Sequence, residues 1–120
     1  AKVPQTARFD PSRTSLNQRL HWAERKRRND VAKLAAIAGW HEAGSPVATG
    51  PVRVSLVVRR HRLLDDDNVI SGAKSARDAL VGRMIPDDSP RWLTLGSVTQ
   101  EIGRQWRGRE EVVFVVEVAL

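Results

Sequence analysis

The residues from Val52 to Leu80 read VRVSLVVRRHRLLDDDNVISGAKSARDAL, and the rest of the architecture is built around this stretch. In its first nine residues apolar side chains occupy every second position, which is typical of a strand with one buried face. That face is predicted to consist of Val52, Val54, Leu56 and Val58. Beyond an acidic run, apolar residues recur at helical spacing, which predicts a helix from about Val69 to Val81. The helix is expected to pack on the sheet through Val69, Ala73, Ala76 and Leu80.

A strand and a long helix are predicted before this stretch. Val3 to Phe9 can form a short strand, and Pro4 places it at a sheet edge because proline lacks the N–H that a central strand needs. The helix is expected to start near Thr14 or Ser15 and to end near Gly39. Its packing face is predicted to be an apolar stripe formed by Leu16, Leu20, Ala23, Val31, Leu34 and Ala38.

Two more strands are predicted after it. Trp92 to Ile102 is expected to be a strand with an irregularity at Gly96, and Val112 to Val118 is expected to be a strand buried on both faces. A basic turn joins them, so a hairpin is predicted. The apolar run within Val112 to Val118 has a second interpretation, as the contact surface for another copy of the chain.

The predicted elements follow the order β-α-β-α-β-β. A chain of 120 residues favours one domain that spans residues 1–120. The predicted class is therefore α/β or α+β, with two main helices packed on a mixed sheet.

Composition narrows the classes of function. The net charge is +6, with 20 lysines and arginines, which indicates a polyanionic partner such as nucleic acid. The sequence contains no cysteine, which excludes disulfides and thiolate zinc sites. No apolar run approaches the roughly 18 residues of a membrane span, and the N-terminal residues carry no apolar signal segment. We therefore expect a protein that binds no membrane and works in a reducing compartment.

Six of the fourteen acidic residues lie between Leu63 and Pro90. Crowded carboxylates repel one another, and a divalent cation among them would relieve that repulsion. If the acidic run is extended, Asp65 and Asp67 point the same way and Asp66 points away. The acids have an equally reasonable structural explanation, because aspartates favour the N-terminus of a helix, with Asp67 or Asn68 as the N-cap. The residues alone leave both explanations open.

A wider pattern includes these acids. Asp65-x-Asp67-Asn68 is followed by Lys74, by Asp78-Ala79-Leu80 and by Asp87-Asp88. This pattern resembles the RusA family of Holliday junction resolvases, which are endodeoxyribonucleases of phage and prophage origin. The likeness covers about residues 59–89. One departure is the seven-residue interval from Asp67 to Lys74, which is longer than in the family and indicates a short insertion after Asn68. Asn17 is a weaker match to an asparagine near the family's N-terminus.

The resemblance implies a function and a site. It implies that Asp65, Asp67 and Asp88 bind the metal and that Lys74 is a catalytic lysine. Asn68, Asp78 and Asp87 match supporting positions. The implied cofactor is Mg²⁺ or Mn²⁺. The implied assembly is a homodimer that resolves four-way DNA junctions during recombination and repair, in the cytoplasm of a bacterial or phage-infected cell. The alternatives are a nuclease for other branched or flapped DNA, a catalytically inert DNA-binding protein, and a basic adaptor whose acids only cap a helix.

Three basic clusters are candidates for contact with DNA phosphates. The first is predicted on the long helix and consists of Arg19, Arg25, Lys26, Arg27, Arg28 and Lys33. The second precedes the acids and consists of Arg59, Arg60 and Arg62. The third, on the basic turn, consists of Arg104, Arg107 and Arg109. Each cluster has the simpler interpretation of a solvated surface. The tryptophans at 22, 40, 92 and 106 are expected to be core or half-buried anchors, with base stacking as an alternative for Trp106.

Overall fold

The computed structural model describes residues 2–16 and 19–118, which form a four-stranded sheet with two helices on one face. The element order and the mixed sheet confirm the predicted class. The main elements are β1 (Lys2–Ala7), α1 (Trp22–Glu42), β2 (Val52–Arg60), α2 (Asp66–Leu80), β3 (Leu93–Ile102) and β4 (Glu111–Val118). Asn17 lies outside the described residues. No helix in the described part of the chain is long and apolar enough to cross a membrane.

The strands lie in the order β1-β4-β2-β3, so the predicted hairpin of β3 and β4 is wrong. β4 is antiparallel to both β1 and β2, whereas β3 is parallel to β2. Burial explains the arrangement, because a central strand must be apolar along its length. Val112, Phe114 and Val116 of β4 are buried on the side of the helices. On the other side Val113 is buried and Val115 only half-buried, so burial on both faces was predicted correctly for part of the strand. Most of β3 is exposed or half-buried. Pro4 lies on the edge strand β1, as predicted.

α1 packs through small residues, not through the predicted apolar stripe. It begins at Trp22, and its buried residues are Ala32, Ala36 and Gly39. Two members of the predicted stripe, Val31 and Leu34, are 53% and 66% exposed. The reason is the close approach of the helix to β1: a Cβ atom at Gly39 would lie 1.9 Å from the Thr6 carbonyl oxygen. Bulky aliphatic side chains do not fit at such a contact.

α2 is held by a second close contact, with the turn that follows β1. A Cβ atom at Gly72 would lie 2.0 Å from the Pro11 carbonyl oxygen. The Thr14 hydroxyl donates to the Gly72 carbonyl at 2.5 Å. The predicted packing face of α2 is confirmed by the burial of Val69, Ala73, Ala76 and Leu80. The helix begins at Asp66, three residues before the predicted start.

The other face of the sheet has no helix over it in the described part of the chain. Val113 is buried there and Val57 is half-buried, near the Arg53–Glu117 ion pair of 3.2 Å. This surface, which also includes half-buried Val115, is referred to below as the open face.

Gly39→Ala should lower the free energy of unfolding by about 1–3 kcal/mol, the usual cost of overpacking. Helix propensity alone would act in the opposite direction, since alanine exceeds glycine by about 1 kcal/mol. Urea denaturation measures the difference. The matched control is Gly50→Ala, where the added Cβ meets no atom within 4 Å and stability should hold or rise slightly. Equal stability of the two variants would contradict the close contact.

Candidate functional site

The acidic run lies at the N-terminus of α2. Asp65 is the N-cap residue, without a side-chain capping bond, and Asp66 and Asp67 occupy the first turn. The acidic run is therefore not extended beyond Asp65, because the helix begins at Asp66. The positive end of the helix dipole favours carboxylates at this position. The structural explanation of these acids is thus satisfied, although the N-cap is Asp65 and neither Asp67 nor Asn68.

The three aspartates differ in their contacts. The Asp66 carboxylate accepts a hydrogen bond from the Gln100 side chain at 3.1 Å, so it is tied to β3. Asp65 and Asp67 are exposed, and their carboxylates contact no cation or donor within the described ranges. Asp66 therefore remains the weakest candidate for a metal ligand. The reason is its hydrogen bond to Gln100, and not the opposite direction of its side chain that an extended run would give. Asn68 is half-buried, and its carbonyl accepts a bond from Ser71 at 3.3 Å.

Lys74 lies on α2 about two turns after Asp67. Its ammonium group contacts the Asp78 carboxylate at 2.8 Å. Seven helical residues correspond to about 10 Å along the axis, so Lys74 does not contact the acids at the helix start. Lys74 and Asp78 are four residues apart and share a side of the helix, and both line a groove beside α1.

Asp87 and Asp88 lie at the other end of the sheet within one chain. They belong to the loop that leads into β3, where the Val52 amide donates to the Trp92 carbonyl at 2.8 Å. Val52 begins β2, and Asp65 comes shortly after its end. A nine-residue strand is roughly 26 Å long. The fold therefore does not bring Asp88 to Asp65 and Asp67 within a single chain.

The metal prediction has no support from one chain alone. Among residues 2–16 and 19–118, no three histidine, aspartate or glutamate side chains are grouped closely enough to hold a metal ion. The Asp87 carboxylate instead accepts the Asp88 amide at 2.7 Å, as in a turn. Metal binding by Asp65, Asp67 and Asp88 stays a prediction.

The basic cluster on α1 is partly neutralised by its own acids. Glu24 contacts Arg27 at 2.6 Å and Arg28 at 2.9 Å. Hydrogen bonds from these two arginines lower the pKa of Glu24 to about 2. Lys26 pairs with Asp30 at 2.8 Å in the same way. Arg25 donates to the Ser15 carbonyl at 3.4 Å, and Lys33 is exposed. Arg19 precedes the helix, which begins at Trp22.

The three arginines that precede the acids, Arg59, Arg60 and Arg62, lie in different environments. Arg60 is 6% exposed, and its guanidinium donates to Asp10 at 3.0 Å, so it belongs to the scaffold. Arg59 contacts Glu101 and Glu111 at 2.8 Å each and lies 5.4 Å from the Trp106 ring centre. Arg62 is exposed and makes no ion pair with any residue in the described ranges. Only Arg62 is therefore available for a phosphate without first breaking a contact.

The tryptophans are not all anchors. Trp40 is half-buried and donates to the Pro46 carbonyl at 2.7 Å. Trp106 is half-buried with Arg59 and Arg109 near its ring, which leaves its base-stacking role a prediction. Trp22 contradicts the expectation, because it is 72% exposed at the first residue of α1.

The groove between α1 and α2 has a volume of about 260 Å³ and was not predicted. It is lined by Thr14, Leu16, Arg25, Asn29, Lys33, Ser71, Lys74, Ser75 and Asp78. Arg25, Asn29 and Lys33 recur every fourth residue, so their periodicity was a signal in the sequence. That signal was masked by the surrounding run of charges.

A scan against models of protein families and searches of curated proteins and of solved structures find no match to this chain. The likeness to the RusA family therefore rests on the motif residues between 59 and 89.

The Arg60–Asp10 pair should make stability depend on pH. Burial acts to raise the pKa of Asp10, but hydrogen bonds from Ser12 and Arg60 outweigh it, and the pKa falls below its ordinary 3.8. A lowered folded-state pKa gives stability that is present above about pH 4 and lost as pH falls through the folded value. Asp10→Asn should cost about 1.5–3 kcal/mol at neutral pH, with a weaker loss on acidification. Urea denaturation across pH 2–7 measures both. Asp30→Asn, at an exposed pair, is the control and should change stability little. An equal effect of both variants would contradict a structural role for Arg60.

Proposed function

We propose that the protein is a metal-dependent endonuclease for branched DNA, with the four-way junction as its substrate. The observation that carries the proposal is the pair of exposed carboxylates, Asp65 and Asp67, which have no partner in the described ranges although the chain has a net charge of +6. A helix N-terminus explains why acids are tolerated there, but it does not explain why two of them stay unpaired among so many cations. The motif shared with the RusA family supports the assignment.

The chemistry of these residues fits a hard divalent cation. Asp65 and Asp67, with Asp88, would supply carboxylate oxygens, which Mg²⁺ and Mn²⁺ prefer. When bound, the ion would activate water and neutralise charge on the phosphate. Lys74 is exposed on the same helix, and its ammonium could stabilise negative charge on a phosphate oxygen after leaving Asp78.

The proposed site requires two copies of the chain. Asp88 lies at the opposite end of β2 from Asp65, so one chain offers two half-sites and no complete one. A two-fold axis would place the Asp87–Asp88 loop of each copy beside the first turn of α2 in the other. The open face is the surface on which such a dimer would form, with half-buried Val57 and Val115 near its middle and the Arg53–Glu117 ion pair beside them. A dimer with two sites also suits a junction, because resolution needs cuts in two opposed strands.

A catalytically inert DNA-binding protein is the second candidate. It is favoured by the lack of a group of three acids in the described part of one chain. Cleavage of any DNA on addition of Mg²⁺ or Mn²⁺ would exclude it. Comparison of four-way junctions with flaps and linear duplex then separates a junction resolvase from other branched-DNA nucleases.

Asp67→Asn should abolish cleavage of a four-way junction in Mg²⁺, because it removes a metal ligand. Binding of the junction should persist or tighten, since a negative charge near the phosphates is lost. Gel assays of cleavage and of binding in EDTA measure the two effects. Asp66→Asn, at the carboxylate held by Gln100, should retain more activity than Asp65→Asn. Normal cleavage by Asp67→Asn would sink the assignment.

A mixture of two inactive variants tests the shared site. Asp65→Asn and Asp88→Asn each inactivate both sites of a homodimer. After mixing and subunit exchange, a heterodimer has one site with both residues intact. We expect nicking at about a quarter of the wild-type level, because half of the dimers carry one site of two. Paired cuts should stay absent. If both residues served one chain's own site, the mixture would remain inactive. A monomer in sedimentation at micromolar concentration would also contradict the shared site.

A further inference from the structure

The groove between α1 and α2 is rich in cations. Lys33 and Arg25 line it from α1, and Lys74 lines it from α2. Asp78 is the acidic residue in the lining, so positive charge prevails. Lys33 makes no ion pair with any residue in the described ranges, in contrast with the paired Lys26 on the same helix.

Trp22 is the first residue of α1 and is not part of the groove lining, but it lies on the helix face that carries two lining residues. Asn29 and Lys33 follow it by seven and eleven residues, which are intervals that place side chains on one face of a helix. Its ring is 72% exposed, with the His21 ring 5.6 Å away. An exposed tryptophan is costly to leave in water, because a large apolar surface remains hydrated. The exposed ring of Trp22 therefore offers a free face on which a ligand can stack.

The floor of the groove has an unused polar group. The Ser75 hydroxyl oxygen is buried and has no hydrogen-bond partner in the part of the chain that the structure describes. Native proteins leave few such groups unpaired, and they are common where a ligand or water completes the bond. Lys33 and Ser75 offer donors that suit phosphate oxygens, and Asn29 adds an amide. Lys74 would join them after leaving Asp78.

We infer that this groove binds a single, unpaired strand of DNA. The cations would hold the strand's phosphates, and Trp22 would stack on one of its bases. Cations alone do not distinguish a duplex from a single strand. The aromatic ring does, because only an unpaired or terminal base offers a free face for stacking. The inference rests on the proposed function for the choice of DNA, and it adds that the enzyme holds an opened strand beside the junction.

Binding of a fluorescein-labelled oligothymidylate in EDTA tests the groove without any cleavage. Trp22→Ala should weaken binding roughly 5- to 150-fold, the range expected from loss of one stacked base. Trp22→Phe should restore most of the affinity. Binding of a blunt duplex of equal length should change little in either variant. Trp22 is exposed and begins its helix, so circular dichroism should show an intact fold.

Lys33→Gln tests the phosphate contact. It should weaken binding and reduce the slope of log affinity against log salt by about 0.7, the value for one contact with a single strand. The matched control is Lys2→Gln, which removes the same charge on β1 at the open face, away from the helices, and should leave the slope unchanged.

Three results would overturn the inference. The first is that Trp22→Ala and the wild type bind oligothymidylate with equal affinity. The second is that Trp22→Ala loses as much affinity for the duplex as for the single strand. The third is that Trp22 contributes to the binding of oligouridylate but not of oligothymidylate. Because no metal is present, the failure of nuclease activity and the failure of the groove would be seen in separate experiments.

Discussion

Two backbone contacts fix where the helices lie. Gly39 brings α1 against the Thr6 carbonyl, and Gly72 brings α2 against the Pro11 carbonyl. Both contacts involve the strand β1 or the turn after it, so the N-terminal residues set the positions of both helices. The groove between the helices and the direction in which the first turn of α2 presents its acids depend on these contacts. The polar side chains of the groove and of the first turn of α2 are thus positioned by two glycines, which have no side chain.

Local pattern predicted the strands well, since alternation in β2 and the apolar run in β4 each reflect burial of that strand itself. Local pattern gave wrong predictions where the structure of one element depends on the elements that it packs against. The neighbours of β4 depend on the whole sheet, and sequence adjacency wrongly suggested β3. For α1, hydropathy favoured Val31 and Leu34 for the core, but the space beside β1 admits only Ala32, Ala36 and Gly39. Steric limits of that kind are set by another element and leave no periodic signal in the helix.

The candidate site shows the same division. The motif from Asp65 to Asp88 is visible in sequence, and so is the shared side of Lys74 and Asp78 on α2. The distance between the two ends of the motif cannot be predicted from the sequence, because it follows from the parallel pairing of β2 with β3. That pairing makes α2 run back along the sheet and carries the second pair of acids to its far end. Trp22 was mistaken for an anchor because tryptophan is usually buried, and the sequence does not show that α1 begins with it.

Both edge strands of the sheet, β1 and β3, carry a feature that hinders the pairing of a further strand. On β1, Pro4 has no N–H to donate. On β3 the register shifts opposite Ser55, where a Cβ atom on Gly96 would lie 2.2 Å from the serine hydroxyl. A smooth row of free amides and carbonyls, which would recruit a further strand, is absent from these two described strands. Copies of this chain are therefore protected from joining into one continuous ribbon, and that route to fibrous aggregation is disfavoured. Association is directed to broad surfaces, where shape and charge can select the partner.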